Sequence, residues 1–132
     1  SMLRISAETR VLDCAEPWTH PGLSLISGPG NDGCAITALT AAGAQIVLFT
    51  TGRGTPMGAP APTLKIATNR ALAARKPDWI DFDAGVLAEG AEMVGTARAL
   101  LKLTLETASG RETRNERAGD RQIAIFKGGV TL

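Results

Sequence analysis

Between Gly52 and Pro62 the chain places three glycines, three prolines, two alanines, a threonine, a methionine and one charge, Arg53. Proline fixes φ and removes a backbone donor, and glycine costs entropy in any regular element, so this run forms neither a helix nor an inner strand. Apolar segments flank it, Gln45 to Thr50 before and Leu64 to Thr68 after. Long irregular connections inside compact domains are uncommon and are often either functional or disordered, and this one is flanked by well-defined apolar elements. The run therefore reads as a site-bearing loop on an α/β scaffold.

The scaffold is legible on both sides. Leu23 to Ser27 is a short apolar run that ends in Gly28-Pro29-Gly30-Asn31-Asp32-Gly33, and helix formers follow from Cys34 to Ala42. This reads as strand, tight loop and helix, with Asn31 or Asp32 as the N-cap and Gly43 as the stop. Gln45 to Thr50 has the β-branched, apolar character of a buried parallel strand, so the pattern predicts a right-handed βαβ unit. Leu64 to Thr68 predicts a third strand, Asn69 caps a short helix ending before Pro77, and Trp79 to Asp83 alternates as a fourth strand. Met93, Val94, Ala97, Leu100, Leu101 and Leu105 recur at helical spacing over residues 91–107. Ser109 to Asp120 reads as a solvated surface connection, and Gln122 to Lys127 as a last strand. Strands alternating with helices predict a three-layer α/β domain, Rossmann-like, with a mostly parallel sheet of about five strands.

With 132 residues and 44% hydrophobic content, the chain has the size of one domain, residues 1–132, with 1–22 as a lead-in. Ser1-Met2 reads as an expression scar ahead of a starting methionine, which implies a piece excised from a longer protein. Fourteen basic and thirteen acidic side chains leave a net charge of +1, so no nucleic-acid or membrane partner is expected and any anion binding is local. No stretch is long enough to span a bilayer and the N-terminus lacks a signal-peptide layout, so a cytoplasmic location is the default. Cys14 and Cys34 make no metal-ligand pattern and are expected to be reduced. Cys34, near a helix start, is either an activated thiol or a small buried residue.

In a doubly wound sheet, ligands bind outside the carboxyl ends of the strands. Gly28 to Asp32, Thr50 to Thr55 and Asp81 to Gly85 all fall there on this reading. Arg53 lies between glycines, so a guanidinium, hydroxyls and amides can converge on a planar carboxylate, the alternative being a salt-bridged arginine in a rigid loop. The prolines and the missing Gly-Lys-Ser/Thr ending exclude a P-loop, and Pro29 makes the GxGxxG match at Gly28 to Gly33 weak. Asp81 and Asp83 lie two apart on one strand face and either bind a cation or serve as strand-end and capping groups. Lys65 is either the floor of a site that stabilises an enolate-like oxyanion or an edge-strand lysine that discourages aggregation. His20 is the only histidine, and a full metal shell from this chain alone is not expected.

The segment GPGNDGCAITALTAAGAQIVLFTTGRGTPMGAPAPTLKIATNRAL, continued by KPDWIDFDAG and the closing AIFKGGVTL, resembles the C-terminal domain of the altronate and galactarate dehydratase family. The resemblance runs from about Leu23 to the end. It implies a metal-dependent dehydration of an aldonic or aldaric acid to a 2-keto-3-deoxy acid, with a divalent cation (iron(II), or manganese or magnesium) whose ligands lie partly outside this chain. It assigns catalytic roles to Arg53, Lys65 and Asp83, and substrate binding to Asn31, Asp32, Thr50, Thr51, Gly52, Gly54, Thr55 and Asn69. The implied partners are a small sugar acid and the N-terminal portion of the same enzyme, with a homo-oligomer left open. Full-length family members carry further sequence ahead of this domain, so the chain by itself is expected to be inactive. The competing reading is a noncatalytic sugar-acid binding or assembly module of the same fold.

Overall fold

The computed structural model describes residues 10–124. Five strands and four helices occur in the order β1 (Arg10–Leu12), β2 (Ser24–Ile26), α1 (Asp32–Ala41), β3 (Val47–Thr51), β4 (Thr63–Ala67), α2 (Arg70–Arg75), β5 (Phe82–Asp83), a 3-10 turn (Gly85–Glu89), α3 (Met93–Ala108) and α4 (Arg114–Ala118). Every strand pairing is parallel, as expected for an α/β domain, but the strands form two sheets. One is β1-β2 and the other β3-β4-β5.

That division corrects the predicted βαβ unit. β2 pairs with β1, whose three residues were read as lead-in, while β3 pairs with β4, so α1 joins strands of different sheets. The βαβ unit lies further along, where α2 connects β4 to β5. Of the expected last strand, Gln122 to Ala124 is irregular and residues 125–127 lie outside the described residues.

The Gly/Pro run also does more than form a loop. Because β3 and β4 are parallel neighbours, residues 52–62 must carry the chain back along a five-residue strand, roughly 16 Å at strand rise. The return crosses the sheet in the open at first and then in the core. Ala59 packs with Ile36 of α1 and Val47 of β3, joined by Phe49, Met57 and Ala61. At the far end the Pro62 carbonyl accepts from the Val47 amide at 2.9 Å. A second cluster, Ala67, Leu72 and Ile80, seals α2 onto β4. All five β4 residues are buried, which makes it the central strand.

Ser109 to Asp120 is not a plain surface connection. Thr113 and Glu116 form a reciprocal capping box at the start of α4, and Thr113 and Asn115 are buried. A Cβ on Gly58 would lie 2.2 Å from the Asp120 carbonyl oxygen, so this backbone passes directly over the crossover. The mixed charges hid that packing, because the buried groups are the short polar side chains between them.

Candidate functional site at the strand ends

The carboxyl ends of β3, β4 and β5 meet at one edge, and hydrogen bonds tie their outgoing turns together. Asn69 caps α2 by accepting from the Leu72 amide at 2.9 Å, and its side-chain NH2 donates to the Gly52 carbonyl at 3.0 Å. Thr68 Oγ1 donates to the Thr51 carbonyl, and Thr51 Oγ1 accepts from the Gly54 amide at 2.9 Å. Gly54 has a φ of +83°, which L side chains rarely adopt, and a Cβ there would strike Leu72 Cδ1 at 2.9 Å. The φ favours glycine there, and any larger residue would also have to displace the Leu72 methyl. Gly52 is held by Asn69, the cap of α2, and Gly54 by Thr51 at the end of β3, while Arg53 itself is exposed and has no ion-pair partner among the described residues.

Asp83 closes the other side. Its Oδ1 accepts from the Gly85 amide at 2.9 Å and its Oδ2 lies 3.6 Å from Arg70 Nε. Arg70 also donates to Glu89 at 2.9 Å, and these carboxylates raise the guanidinium pKa, the Glu89 hydrogen bond first. Arg70 and Thr68 were missed by the sequence reading. Their signal was position: they flank Asn69 where strand β4 gives way to α2.

Lys65 lies deeper. It is fully buried in the central strand, so it is no edge-strand lysine, and its ammonium donates to the Thr55 carbonyl beneath the Gly/Pro crossover. Burial lowers its pKa to about 8, opposed by the charges of Asp120 and Asp81. Asp81 uses both carboxylate oxygens on backbone amides, Lys65 at 2.9 Å and Arg114 at 2.8 Å, joining β4 to the start of α4. The two aspartates therefore act apart, Asp81 as a backbone staple and Asp83 at the strand-end edge.

Other expected site residues are placed elsewhere. Asn31 caps α1, accepting from the Cys34 amide at 3.1 Å, with Asp32 in the first turn. The helix start meets Met57 rather than Arg53, since a Cβ on Gly33 would lie 3.1 Å from Met57 Sδ. No hydrogen bond or ion pair among the described residues links Asn31 or Asp32 to Asn69, Arg70 or Asp83. Thr50 shares the outward-facing alternation of Leu48, opposite to Thr51. Thr55 Oγ1 accepts from the Met57 amide and its carbonyl holds Lys65. His20 pairs with the adjacent Thr19 hydroxyl at 2.8 Å in an exposed turn. Among the described residues no group of three or more His, Cys, Asp or Glu side chains is arranged to hold a metal ion. Nor is any helix there long and apolar enough to cross a membrane.

Parallel α/β domains as a class bind small polar ligands outside the carboxyl ends of their strands, the edge at which this one carries Arg53, Asn69 and Asp83. The comparison with known proteins makes this specific: the chain belongs to the D-galactarate/altronate dehydratase family, whose C-terminal family model matches residues 5–131. It is 52% identical over 122 residues to the altronate dehydratase of Escherichia coli K12, covering 92% of this chain and 25% of that protein. Against the altronate dehydratase of Bacillus subtilis 168 it is 50% identical over 129 residues, 97% of this chain and 26% of the relative. The galactarate dehydratase (L-threo-forming) of Escherichia coli K12 is 37% identical over 125 residues, 92% of this chain and 24% of the relative. The chain thus spans about a quarter of the length of these relatives.

Proposed function

We propose that this chain forms the carboxylate-binding side of a sugar-acid dehydratase site, completed by the polypeptide that precedes it in the family. The reaction removes the proton next to the substrate carboxylate and expels hydroxide from the neighbouring carbon. The enol then becomes a 2-keto-3-deoxy acid. The observation that carries the reading is the unpaired Arg53, held between two anchored glycines at the strand-end edge of a domain whose relatives are named for altronate and galactarate. A guanidinium offers two parallel donors to a carboxylate, and desolvation by the completing polypeptide strengthens that pairing.

Around that clamp, Asn69, Thr51 and the exposed backbone of Gly52 and Arg53 address sugar hydroxyls, and Asp83, half-buried beside Arg70, accepts from a hydroxyl or takes part in proton transfer. Lys65 serves the same loop from below through the Thr55 carbonyl. Asn31, Asp32 and Thr50 enter only where the completing polypeptide reaches them. A divalent cation, iron(II), manganese or magnesium, supplies Lewis acidity in this reading. Among the described residues there is no group of three or more His, Cys, Asp or Glu side chains arranged to hold it, and this reading therefore draws the ligands chiefly from the preceding polypeptide.

The test is Arg53→Ala and Arg53→Lys in the full-length enzyme, read by titration calorimetry with altronate and galactarate and by keto-acid formation. A charge-assisted bidentate contact of about 2–3 kcal/mol predicts a loss of roughly 30- to 150-fold in kcat/KM for alanine, with partial recovery for lysine. Unchanged affinity and turnover would remove Arg53 from the site. Binding of either acid without keto-acid formation in the unsubstituted enzyme would favour the noncatalytic module.

A further inference from the structure

Helix α3 carries more apolar surface than the described domain covers. On a helical net at 100° per residue, Leu100, Leu103, Thr104 and Thr107 form one face, half-buried or buried against the domain. Val94, Ala97, Leu101, Leu105 and Ala108 form a second stripe about a third of a turn away, and that stripe is open. Leu101 and Leu105 are each 58% exposed and Val94 53%. Contiguous apolar surface of this kind on a helix about 24 Å long marks an interaction site rather than a solvated face.

We propose that this stripe is the docking surface for the part of the dehydratase polypeptide that precedes this domain. The proposal rests on family membership and not on the chemistry proposed above. Three observations point to that occupant. The chain spans about a quarter of its relatives, so a much larger body of the same polypeptide must find an interface on it, at the high effective concentration a covalent link provides. The stripe is bordered by Arg98 and Lys102, and among the described residues Arg98 has no ion-pair partner. Glu106, the acidic side chain on that border, already accepts from Arg111. A second copy would present the same cationic border with its Glu106 likewise engaged, so the better fit is a different surface, apolar in the centre with carboxylates along one rim. Chain order also ties α3 to the candidate site at one end, since Val94, where the stripe starts, follows shortly after the 3-10 turn that ends in Glu89, the partner of Arg70.

The experiment compares Leu101→Cys in the 132-residue chain and in the full-length polypeptide that carries this domain, following alkylation at position 101 by iodoacetamide with peptide-resolved mass spectrometry. The expected result is alkylation at least tenfold slower in the full-length protein, at a rate independent of protein concentration. A paired variant, Leu101→Glu with Leu105→Glu, should leave the melting temperature of the 132-residue chain unchanged, because both side chains are exposed there. In the full-length protein it should make this domain separable by limited proteolysis. Equal alkylation rates in the two contexts overturn the proposal. Protection that fades on dilution and tracks a dimer mass also overturns it and gives the face to a second copy. Protection at position 101 together with no keto-acid formation by the unsubstituted full-length protein would support the docking surface and count against the proposed chemistry alone.

Discussion

Two connections in this domain solve the same problem by different means. β3 to β4 and β4 to β5 are both parallel neighbours, so each connection must return the chain to the start of the next strand. Between β4 and β5 the return is α2, which satisfies its own amides and carbonyls apart from the ends, and Asn69 caps the first of those. Between β3 and β4 it is the Gly/Pro run, which has no internal ladder and yet is partly buried. Backbone amides of Val47 and Gln122 meet its Pro62 and Gly58 carbonyls, and side chains meet others of its polar groups. Asn69 reaches the Gly52 carbonyl, Lys65 the Thr55 carbonyl, Asn115 the Met57 carbonyl and Thr63 the Ala59 amide. The comparison explains why a lysine, an asparagine and a threonine are buried: three of the domain's buried polar residues serve one irregular segment.

The sharpest break in that comparison is Gly58→Ala against Ala74→Gly. The first drives a Cβ to 2.2 Å from a backbone oxygen and should cost about 3 kcal/mol or more in chemical denaturation, because backbone on both sides must move. The second, on the exposed face of α2, should cost about 1 kcal/mol. Equal costs would mean that the crossover is not packed as described.

Next is the pH dependence that Lys65 imposes. Its folded pKa is lowered to about 8 from 10.5, so between those values the unfolded chain binds a proton that the folded chain does not. Stability should therefore rise with pH across that window and be flat in this respect below it. Lys65→Met should abolish the rise. Urea midpoints measured from pH 7 to 10.5 in both proteins check it, and an equal rise in the methionine variant would exclude Lys65 as its source.

The smallest effect separates the two jobs of Asn69. Asn69→Ala loses the cap and the Gly52 contact together, at about 1 kcal/mol for the cap. Asn69→Asp keeps an acceptor at the helix start but has no NH2 for Gly52, and should fall between the parent and alanine. An aspartate variant as stable as the parent would show that the Gly52 contact contributes nothing to stability.

Most of the element boundaries were legible because they rest on local chemistry. Asn31 and Asn69 cap the helices they were expected to cap, Gly43 lies just past the end of α1, and the spacing from Met93 to Leu105 is one helix. The composition of residues 52–62 likewise excluded regular structure whatever the surroundings. What was missed depends on partners distant in sequence. Arg10 to Leu12 is a strand because β2 lies beside it, and Thr113 and Asn115 are buried because the crossover lies beneath them. Asp81 and Asp83 share a strand spacing yet serve different neighbours.

The sequence by itself determined the α/β character, the caps, the Gly/Pro interruption and, through blocks such as FTTGRGTP and KIATN, the family. Those features are written in propensities, side-chain periods and residue identities, each readable within a few positions. Only the tertiary structure decided that the strands divide between two sheets, that Lys65 holds a crossover from beneath, and that Arg53 stands exposed with no ion-pair partner among the described residues. The reason is physical. Burial and hydrogen-bond satisfaction are properties of what a residue is packed against, and neither the sheet partner of β2 nor the carbonyl above Lys65 lies within its local stretch of chain.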